Sequence, residues 1–143
     1  MEKKKILFFD DEEATSASLV RNLNRNYGHQ ITGVSDLSLF FNLLEEEIFS
    51  LIILDVMVPI PPNFENLGFT QLEQEDYKQN FGLNAGLSIA HKVWRNRNYT
   101  NVPIIFLTSK QHFKLPMRDN VSLVLKPTLA SSLSQEIEKM LKK

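Results

Sequence analysis

The sequence of 143 residues contains no cysteine, which excludes disulfide bonds and thiolate chemistry. It also lacks any apolar run near the ~20 residues that span a bilayer. After Lys3-Lys4-Lys5 only Ile6 to Phe9 are apolar before acidic residues begin, whereas a secretory signal peptide needs a longer apolar segment. We therefore expect a protein of the cytoplasm.

The sequence has no excess of either charge. Its formal net charge is -1 and its isoelectric point is near 6.3, whereas proteins that bind nucleic acid or anionic membranes need a basic surface. We expect no direct contact with nucleic acid and none with a membrane. With 43% hydrophobic residues, the chain is long enough for one core and too short for two. Residues 1–143 are therefore predicted to form a single domain.

Short apolar runs alternate with amphipathic helical patterns along the chain. The predicted strands are Ile6–Phe9, Gln30–Val34, Leu51–Leu54, Ile104–Leu107 and Val121–Leu125. Gln30–Val34 is the least apolar of them, which is consistent with a strand at the edge of the sheet. We predict Ser35 and Thr128 as the N-caps of the second and last helices, with Leu129 on the buried face of the last one. Strands that alternate with helices give right-handed crossovers and a parallel sheet, so the predicted class is α/β.

Polar side chains follow four of these strands directly. Asp10 and Asp11 follow the first, Asp55 the third, Thr108 the fourth and Lys126 the fifth. Taken alone, Asp55 could merely open a turn. In a parallel sheet, however, all these ends meet at one edge, where close carboxylates repel one another and need a cation. Oxygen ligands of this kind suit Mg²⁺ (or Mn²⁺), and a hydroxyl with an ammonium can hold the oxygens of a phosphoryl group.

Four short segments carry a family resemblance, in the order in which the family has them: Phe9–Glu12, Leu54–Pro59, Leu107–Ser109 and Leu125–Pro127. On these segments the chain resembles the CheY-like receiver domains of two-component response regulators. The resemblance implies a flavodoxin-like, doubly wound sheet of five parallel strands in the order 2-1-3-4-5.

The resemblance also implies roles for the acidic residues. Asp55 would accept a phosphoryl group from a histidine kinase or a phosphotransfer protein in a phosphorelay. Asp11, Asp55 and the backbone carbonyl of Met57 would bind Mg²⁺ (or Mn²⁺), with Asp10 acting through water. The chain would not be an enzyme, apart from self-catalysed phosphotransfer and dephosphorylation.

Two further residues gain roles by the same resemblance. Thr108 and Lys126 would hold the phosphoryl group and pull on the fourth strand and its loop. The changed surface would then be recognised by a downstream protein partner. Since the chain ends with its last predicted helix, we expect it to act through a separate partner or to be part of a longer regulator.

One departure from the family is a long segment after the third strand. Gly86 lies 31 residues beyond Asp55, about 20 more than a short loop requires. We call residues 58–84 the insertion. It begins with Val58-Pro59-Ile60-Pro61-Pro62, which cannot be regular structure, and its pattern is compatible with a short helix over Phe69 to Gln79. We expect a partly ordered flap near the carboxyl edge of the sheet.

Two other departures concern the usual output face. The segment Lys110 to Asn120 contains Pro116 and few apolar residues, so the family's fourth helix is expected to be shortened or missing. Leu123 stands where the family has its switch aromatic. These departures leave an alternative open, namely a receiver-like interaction module with little or no phosphorylation-dependent switching.

Two enzyme classes fit the motifs poorly. The run Gly86-Leu87-Ser88-Ile89-Ala90 loosely matches the nucleophile elbow of α/β hydrolases, but a polar loop precedes it where that motif needs a strand. A phosphatase of the haloacid dehalogenase type would need an aspartate two residues after its nucleophile. Asp55 is followed there by Met57.

Overall fold

The computed structural model describes residues 4–82, 84–109 and 113–142. One sheet of five parallel strands has the order β2-β1-β3-β4-β5, with β1 Lys5–Phe9, β2 Gln30–Val34, β3 Leu51–Asp55, β4 Ile104–Thr108 and β5 Val121–Leu125. The helices are α1 Glu13–Tyr27, α2 Leu37–Glu46, α3 Gln71–Lys78, α4 Ala85–Arg95 and α5 Ala130–Leu141. The predicted α/β class and the strand order 2-1-3-4-5 are confirmed. No helix among these residues combines the length and apolarity needed to cross a bilayer.

The register of the central strands determines which of their terminal residues lie side by side. β3 lies between β1 and β4, with Phe9 opposite Leu54 and Asp55 opposite Leu107. Because the strands are parallel, the residue that follows β1, Asp10, is level with Asp55. The functional candidates therefore share one edge of the sheet.

Both faces of the sheet are covered, which explains the unbroken apolar run in β3. One face packs on α1 and α5 through the side chains of Ile6, Phe8, Leu51, Ile53, Ile105 and Leu107. The other packs on α2, α4 and the insertion through Leu7, Phe9, Ile52, Leu54, Ile104 and Phe106. Alternate residues of each central strand thus serve two separate cores.

Two predicted helix starts are wrong. The N-cap of α2 is Asp36 instead of Ser35, because the Asp36 carboxylate accepts a hydrogen bond of 3.1 Å from the Leu39 N–H. At α5 the N-cap position is Leu129, without a side-chain cap, and the Thr128 hydroxyl donates to the Leu129 carbonyl. The Leu129 side chain is largely exposed instead of buried.

The insertion adds to the core through three aromatic side chains. Phe64, in a short 3₁₀ turn, Phe69 and Tyr77 are buried. The ring centroids of Phe64 and Tyr77 are 4.8 Å apart, and Phe69 lies 5.6 Å from Phe41 on α2. The expected short helix exists as α3. The segment is not only a flap near the carboxyl edge of the sheet, because these rings also pack into the core beside α2.

An ion pair fastens the insertion to α4. The buried Glu73 carboxylate accepts two hydrogen bonds from the Arg95 guanidinium, at 2.8 and 2.7 Å, and Arg95 also donates to the Gly68 carbonyl. Glu73 and Thr70 form a capping box at the start of α3. Burial alone would raise the pKa of Glu73, but the hydrogen bonds from Arg95 and Thr70 outweigh it and lower that pKa.

The described part of the connection between β4 and β5, residues 113–120, contains no helix. These residues agree with the prediction that the fourth helix of the family is shortened or missing, and residues 110–112 of that predicted segment lie outside the described residues. Phe113 is buried there, and the Arg118 guanidinium lies 3.9 Å from the centre of the Trp94 ring. The Trp94 indole N–H donates to the Val102 carbonyl at 3.0 Å. These contacts cover the end of α4 without a further helix.

Candidate functional site

Three carboxylates meet at the carboxyl edge of the sheet. Asp10 and Asp11 follow β1, and Asp55 is the last residue of β3. One oxygen from each lies within 4.8 Å of the others. Asp10 and Asp55 are only 2% and 5% exposed, so the structure gathers these charges where water reaches them poorly.

Lys126 lies opposite this cluster, directly after β5. Its Nζ is 3.3 Å from Asp55 Oδ1 and 3.4 Å from Asp10 Oδ2. Burial on its own would lower the pKa of Lys126, but the charges of Asp55 and Asp10 outweigh this effect and raise that pKa. The ammonium therefore stays protonated at neutral pH.

Backbone amides orient two of the carboxylates. The Glu12 N–H donates to Asp10 Oδ1 at 2.9 Å, and the Met57 N–H donates to Asp55 Oδ1 at 3.3 Å. Asp11 Oδ1 is buried and has no hydrogen-bond partner among the described residues. An unpaired buried oxygen is costly, so this atom marks where a positively charged ligand would be most stabilising.

Burial disfavours the charged form of all three carboxylates. It raises the pKa of Asp55 to about 6, although the charge of Lys126 opposes the shift. The pKa values of Asp10 and Asp11 are also raised, again chiefly by burial. When all three carboxylates are ionised, the Lys126 ammonium compensates only one of their negative charges. A divalent cation would compensate the other two.

The residues present fit a hard divalent cation. Every donor of the cluster is a carboxylate oxygen, and the three oxygens are close enough for one ion to touch them all. Mg²⁺ and Mn²⁺ prefer such ligands. Asp11 Oδ1 needs no rearrangement of an existing hydrogen bond to serve as one of them.

Thr108 and Met57 complete the set predicted from the sequence. Thr108 ends β4 and is buried, and its carbonyl accepts a hydrogen bond of 2.8 Å from the Lys126 N–H. Met57 is tied to Asp55 through its own N–H and is 36% exposed. Both residues thus lie at the same edge as the carboxylates.

No protein-family model and no curated protein sequence matches the chain. Solved structures do match it. Chemotaxis protein CheY4 of Vibrio cholerae is 17% identical with a TM-score of 0.69, over 97% of this chain and 99% of that one. A putative response regulator of Chloroflexus aurantiacus is 14% identical with a TM-score of 0.71, over 99% and 100%. The receiver domain of the hybrid histidine kinase CckA is 20% identical with a TM-score of 0.62, over 96% and 98%.

The chain has the receiver fold. The predicted resemblance to CheY-like receiver domains is confirmed at the level of the fold, since the matches span nearly the whole chain. Within this receiver fold, Leu123 lies on β5 beside Phe106 and is half-buried. The aromatic side chain that the resemblance implies at this place is absent.

Two residues of the insertion reach the site of this receiver fold, and sequence reasoning missed both. The Tyr77 hydroxyl donates to the Pro59 carbonyl at 3.2 Å, and Gly82 accepts a hydrogen bond of 3.0 Å from the Val58 N–H. Both partners lie within four residues of Asp55. Residues this far apart along an irregular segment share no local period, so no sequence signal could have paired them.

A groove of about 380 Å³ gives access to the site on the side of α1. Asp10 and Lys126 line it, and apolar side chains that include Leu19 and Leu107 form most of its wall. A second groove, of about 320 Å³, passes Asp11 along the start of the insertion. Asp10 and Asp11 can therefore be approached from two sides of the site.

Proposed function

We propose that the chain is a phosphoacceptor receiver domain of a two-component phosphorelay. Asp55 takes a phosphoryl group from a histidine kinase or a phosphotransfer protein, and a downstream protein partner recognises the resulting surface. The observation that supports this most is the pairing of a buried carboxylate with an ammonium, Asp55 with Lys126 at 3.3 Å, beside two further carboxylates.

The proposed step is an in-line displacement at phosphorus. A carboxylate oxygen of Asp55 forms the new P–O bond while the P–N bond of the donor phosphohistidine breaks. The electron pair of that bond stays on the ring nitrogen, and the imidazole leaves in its neutral form with the proton that its other nitrogen already carries. Lys126 neutralises charge on the transferring oxygens, and the 3.3 Å distance between its Nζ and Asp55 Oδ1 supports this role. The Thr108 hydroxyl, at the end of the neighbouring strand, holds another oxygen.

In this proposal Asp11, Asp55 and the Met57 carbonyl hold Mg²⁺ (or Mn²⁺), and Asp10 contributes through water. The cation supplies positive charge to the oxygens of the phosphoryl group. The unpaired Asp11 oxygen supports this assignment. The Val58 N–H, which shares a peptide group with the Met57 carbonyl, donates to the Gly82 carbonyl, and this supports a fixed orientation of the Met57 carbonyl.

We further propose that residues 1–143 form one domain of the cytoplasm that includes the insertion. The two cores share one sheet, which supports a single unit. In the proposed role the chain turns over no external substrate. It carries out only its own phosphotransfer and dephosphorylation.

A second candidate is a receiver-like interaction module with little or no phosphorylation-dependent switching. Leu123 on β5 favours it, because a leucine cannot perform the rotamer change of a switch aromatic. The absence of a helix in residues 113–120 favours it as well. In that case the insertion would dock a partner in every state of the site.

The test is incubation with acetyl phosphate and Mg²⁺, followed by intact-mass measurement. We expect wild type to gain the mass of one phosphoryl group, because Asp55 is the buried nucleophile beside Lys126. Asp55→Asn should gain none. Asp76→Asn, which removes an exposed carboxylate of the insertion, is the matched control and should behave as wild type.

Chelation of the metal with EDTA should abolish the gain in wild type. An unmodified wild type would refute the phosphoacceptor role and leave the interaction module. An equal gain in wild type and in Asp55→Asn would place the modification on another residue.

A further inference from the structure

The backbone around Met57 is held from both sides by residues outside β3. On one side the Val56 carbonyl accepts the Gly86 N–H at 2.9 Å. On the other the Val58 N–H donates to the Gly82 carbonyl at 3.0 Å, and the Pro59 carbonyl accepts the hydroxyl of Tyr77. The segment that carries the Met57 carbonyl is therefore hydrogen-bonded to the insertion and to the start of α4.

Tyr77 is the one side chain among these partners. Its ring is completely buried, edge-on against Phe64 at 4.8 Å and Phe69 at 5.7 Å. The two ring contacts orient the Tyr77 side chain, and in this orientation its hydroxyl donates to the Pro59 carbonyl at 3.2 Å. Burial and then the charge of Asp11 raise the pKa of Tyr77, which keeps the hydroxyl protonated and able to donate.

The backbone behind the same segment is close-packed. Gly82 has a φ of +83°, and a Cβ at this position would lie 2.2 Å from the Val58 carbonyl oxygen. At Gly86 a Cβ would lie 2.9 Å from Val56 Cα. Only glycine fits at either place, so Gly82 of the insertion and Gly86 of α4 lie directly against the backbone that follows Asp55.

We propose that Tyr77 is a positioning residue for the metal site, because its hydroxyl fixes the Pro59 carbonyl and thereby the strand extension that presents the Met57 carbonyl. This inference rests on the proposed function, in which that carbonyl is a metal ligand. Without the hydroxyl the segment gains freedom that metal binding must remove. One hydrogen bond of this kind corresponds to a change in affinity of about two- to tenfold.

The experiment compares Tyr77→Phe with Tyr99→Phe. Tyr99 is an equally buried tyrosine whose hydroxyl donates to the Glu47 carbonyl at 2.7 Å, at the amino edge of the sheet. Each variant loses one hydroxyl and one hydrogen bond to a carbonyl, but only Tyr77 is near the site. Mg²⁺ affinity is measured by calorimetric titration well below the melting temperature, and exchange of the Val58 amide is followed in the metal-free protein.

We expect Tyr77→Phe to weaken Mg²⁺ binding about two- to tenfold and to speed exchange of the Val58 amide. Tyr99→Phe should change neither. In phosphorylation by acetyl phosphate, the Mg²⁺ concentration for half-maximal rate should rise by the same factor in Tyr77→Phe, and the rate at saturating Mg²⁺ should equal that of wild type.

Equal affinities in wild type and Tyr77→Phe would overturn the inference, as would an equal loss in both tyrosine variants. A wild type that binds no Mg²⁺ and gains no phosphoryl mass would instead refute the proposed function. A change in Val58 exchange confined to Tyr77→Phe, without any change in Mg²⁺ affinity, would show a purely structural hydrogen bond and so also contradict the positioning role.

Discussion

At the scale of single residues, the Asp55 carboxylate carries an electrostatic cost that depends on pH. Its pKa in the fold is about 6 instead of the ordinary 3.8, so the folded state binds the proton more tightly than the unfolded chain. Protonation of Asp55 therefore stabilises the folded state fully below the ordinary pKa of 3.8, and this stabilisation is lost as the pH rises through about 6. The loss is on the order of 3 kcal/mol.

We therefore expect Asp55→Asn to be more stable than wild type at pH 7.5 in EDTA, and most of this difference to vanish at pH 4. Urea unfolding of both proteins at the two pH values measures it. Added Mg²⁺ should stabilise wild type and leave the variant nearly unchanged. A variant that is no more stable at pH 7.5 would show that Lys126 fully offsets the burial of the carboxylate.

The residues at strand ends could be predicted because a parallel sheet brings its carboxyl ends to one edge. Asp10, Asp55 and Lys126 directly follow or end apolar runs, and the structure places Lys126 within 3.4 Å of both carboxylates. Tyr77 could not be predicted. Its partner Pro59 is 18 residues away, and the contact depends on how the insertion folds back.

At the scale of elements, the Glu73–Arg95 pair determines how firmly α3 is fastened to α4. We expect Glu73→Ala to lower the free energy of unfolding by about 1–3 kcal/mol, because it removes a two-point ion pair and half of a capping box. Glu75→Ala, on the exposed side of the same helix, is the control and should cost much less. Chemical denaturation of the two variants and wild type measures both values.

Equal destabilisation by the two alanine substitutions would mean that helix propensity, and not the tie to Arg95, dominates at α3. Faster amide exchange confined to α3 in Glu73→Ala would support the conclusion that the Glu73–Arg95 ion pair holds α3 against α4. Both variants retain Arg95, which is partly exposed and remains hydrated without its partner.

The strands and helices could be predicted from the periodicity of the sequence. The residues at which they begin and end were predicted less accurately. Apolar runs gave β1, β3 and β4, which are buried on both faces of the sheet, whereas the edge strands β2 and β5 are more exposed and carry polar residues. The start of α2 differs because Ser35 and Asp36 are both good capping residues, and only the actual backbone path selects Asp36. The packing of the insertion was beyond reach because it depends on ring contacts with Phe41, a residue of a distant helix.

At the scale of the whole molecule, the insertion is part of the core. Replacing residues 60–81 by a short glycine-serine linker should be sterically possible, because the Val58–Gly82 hydrogen bond brings the two ends together. The replacement removes three buried rings, each worth about 1.5–3 kcal/mol when fully buried. We expect a loss of several kcal/mol in thermal unfolding and strong binding of a hydrophobic dye.

The control for that replacement is Leu72→Ser, which changes an exposed side chain of α3 and should leave stability unchanged. A linker variant as stable as wild type would show that the insertion contributes nothing to the stability of the core. The sequence predicted the place and length of this segment. It could not predict its role in the core, because aromatic residues in irregular segments are equally compatible with a partly ordered flap at the sheet edge.

The position of Trp94 has a consequence for spectroscopy. It is the only tryptophan of the chain, and its bond to Val102 holds it at the amino edge of the sheet, roughly 20 Å from Thr108 at the usual rise per strand residue. Its fluorescence will follow unfolding, since Arg118 leaves the ring when that edge opens. Ion binding at Asp55 should leave the emission unchanged. An altered emission after phosphorylation would show that a rearrangement had travelled across the full length of the sheet.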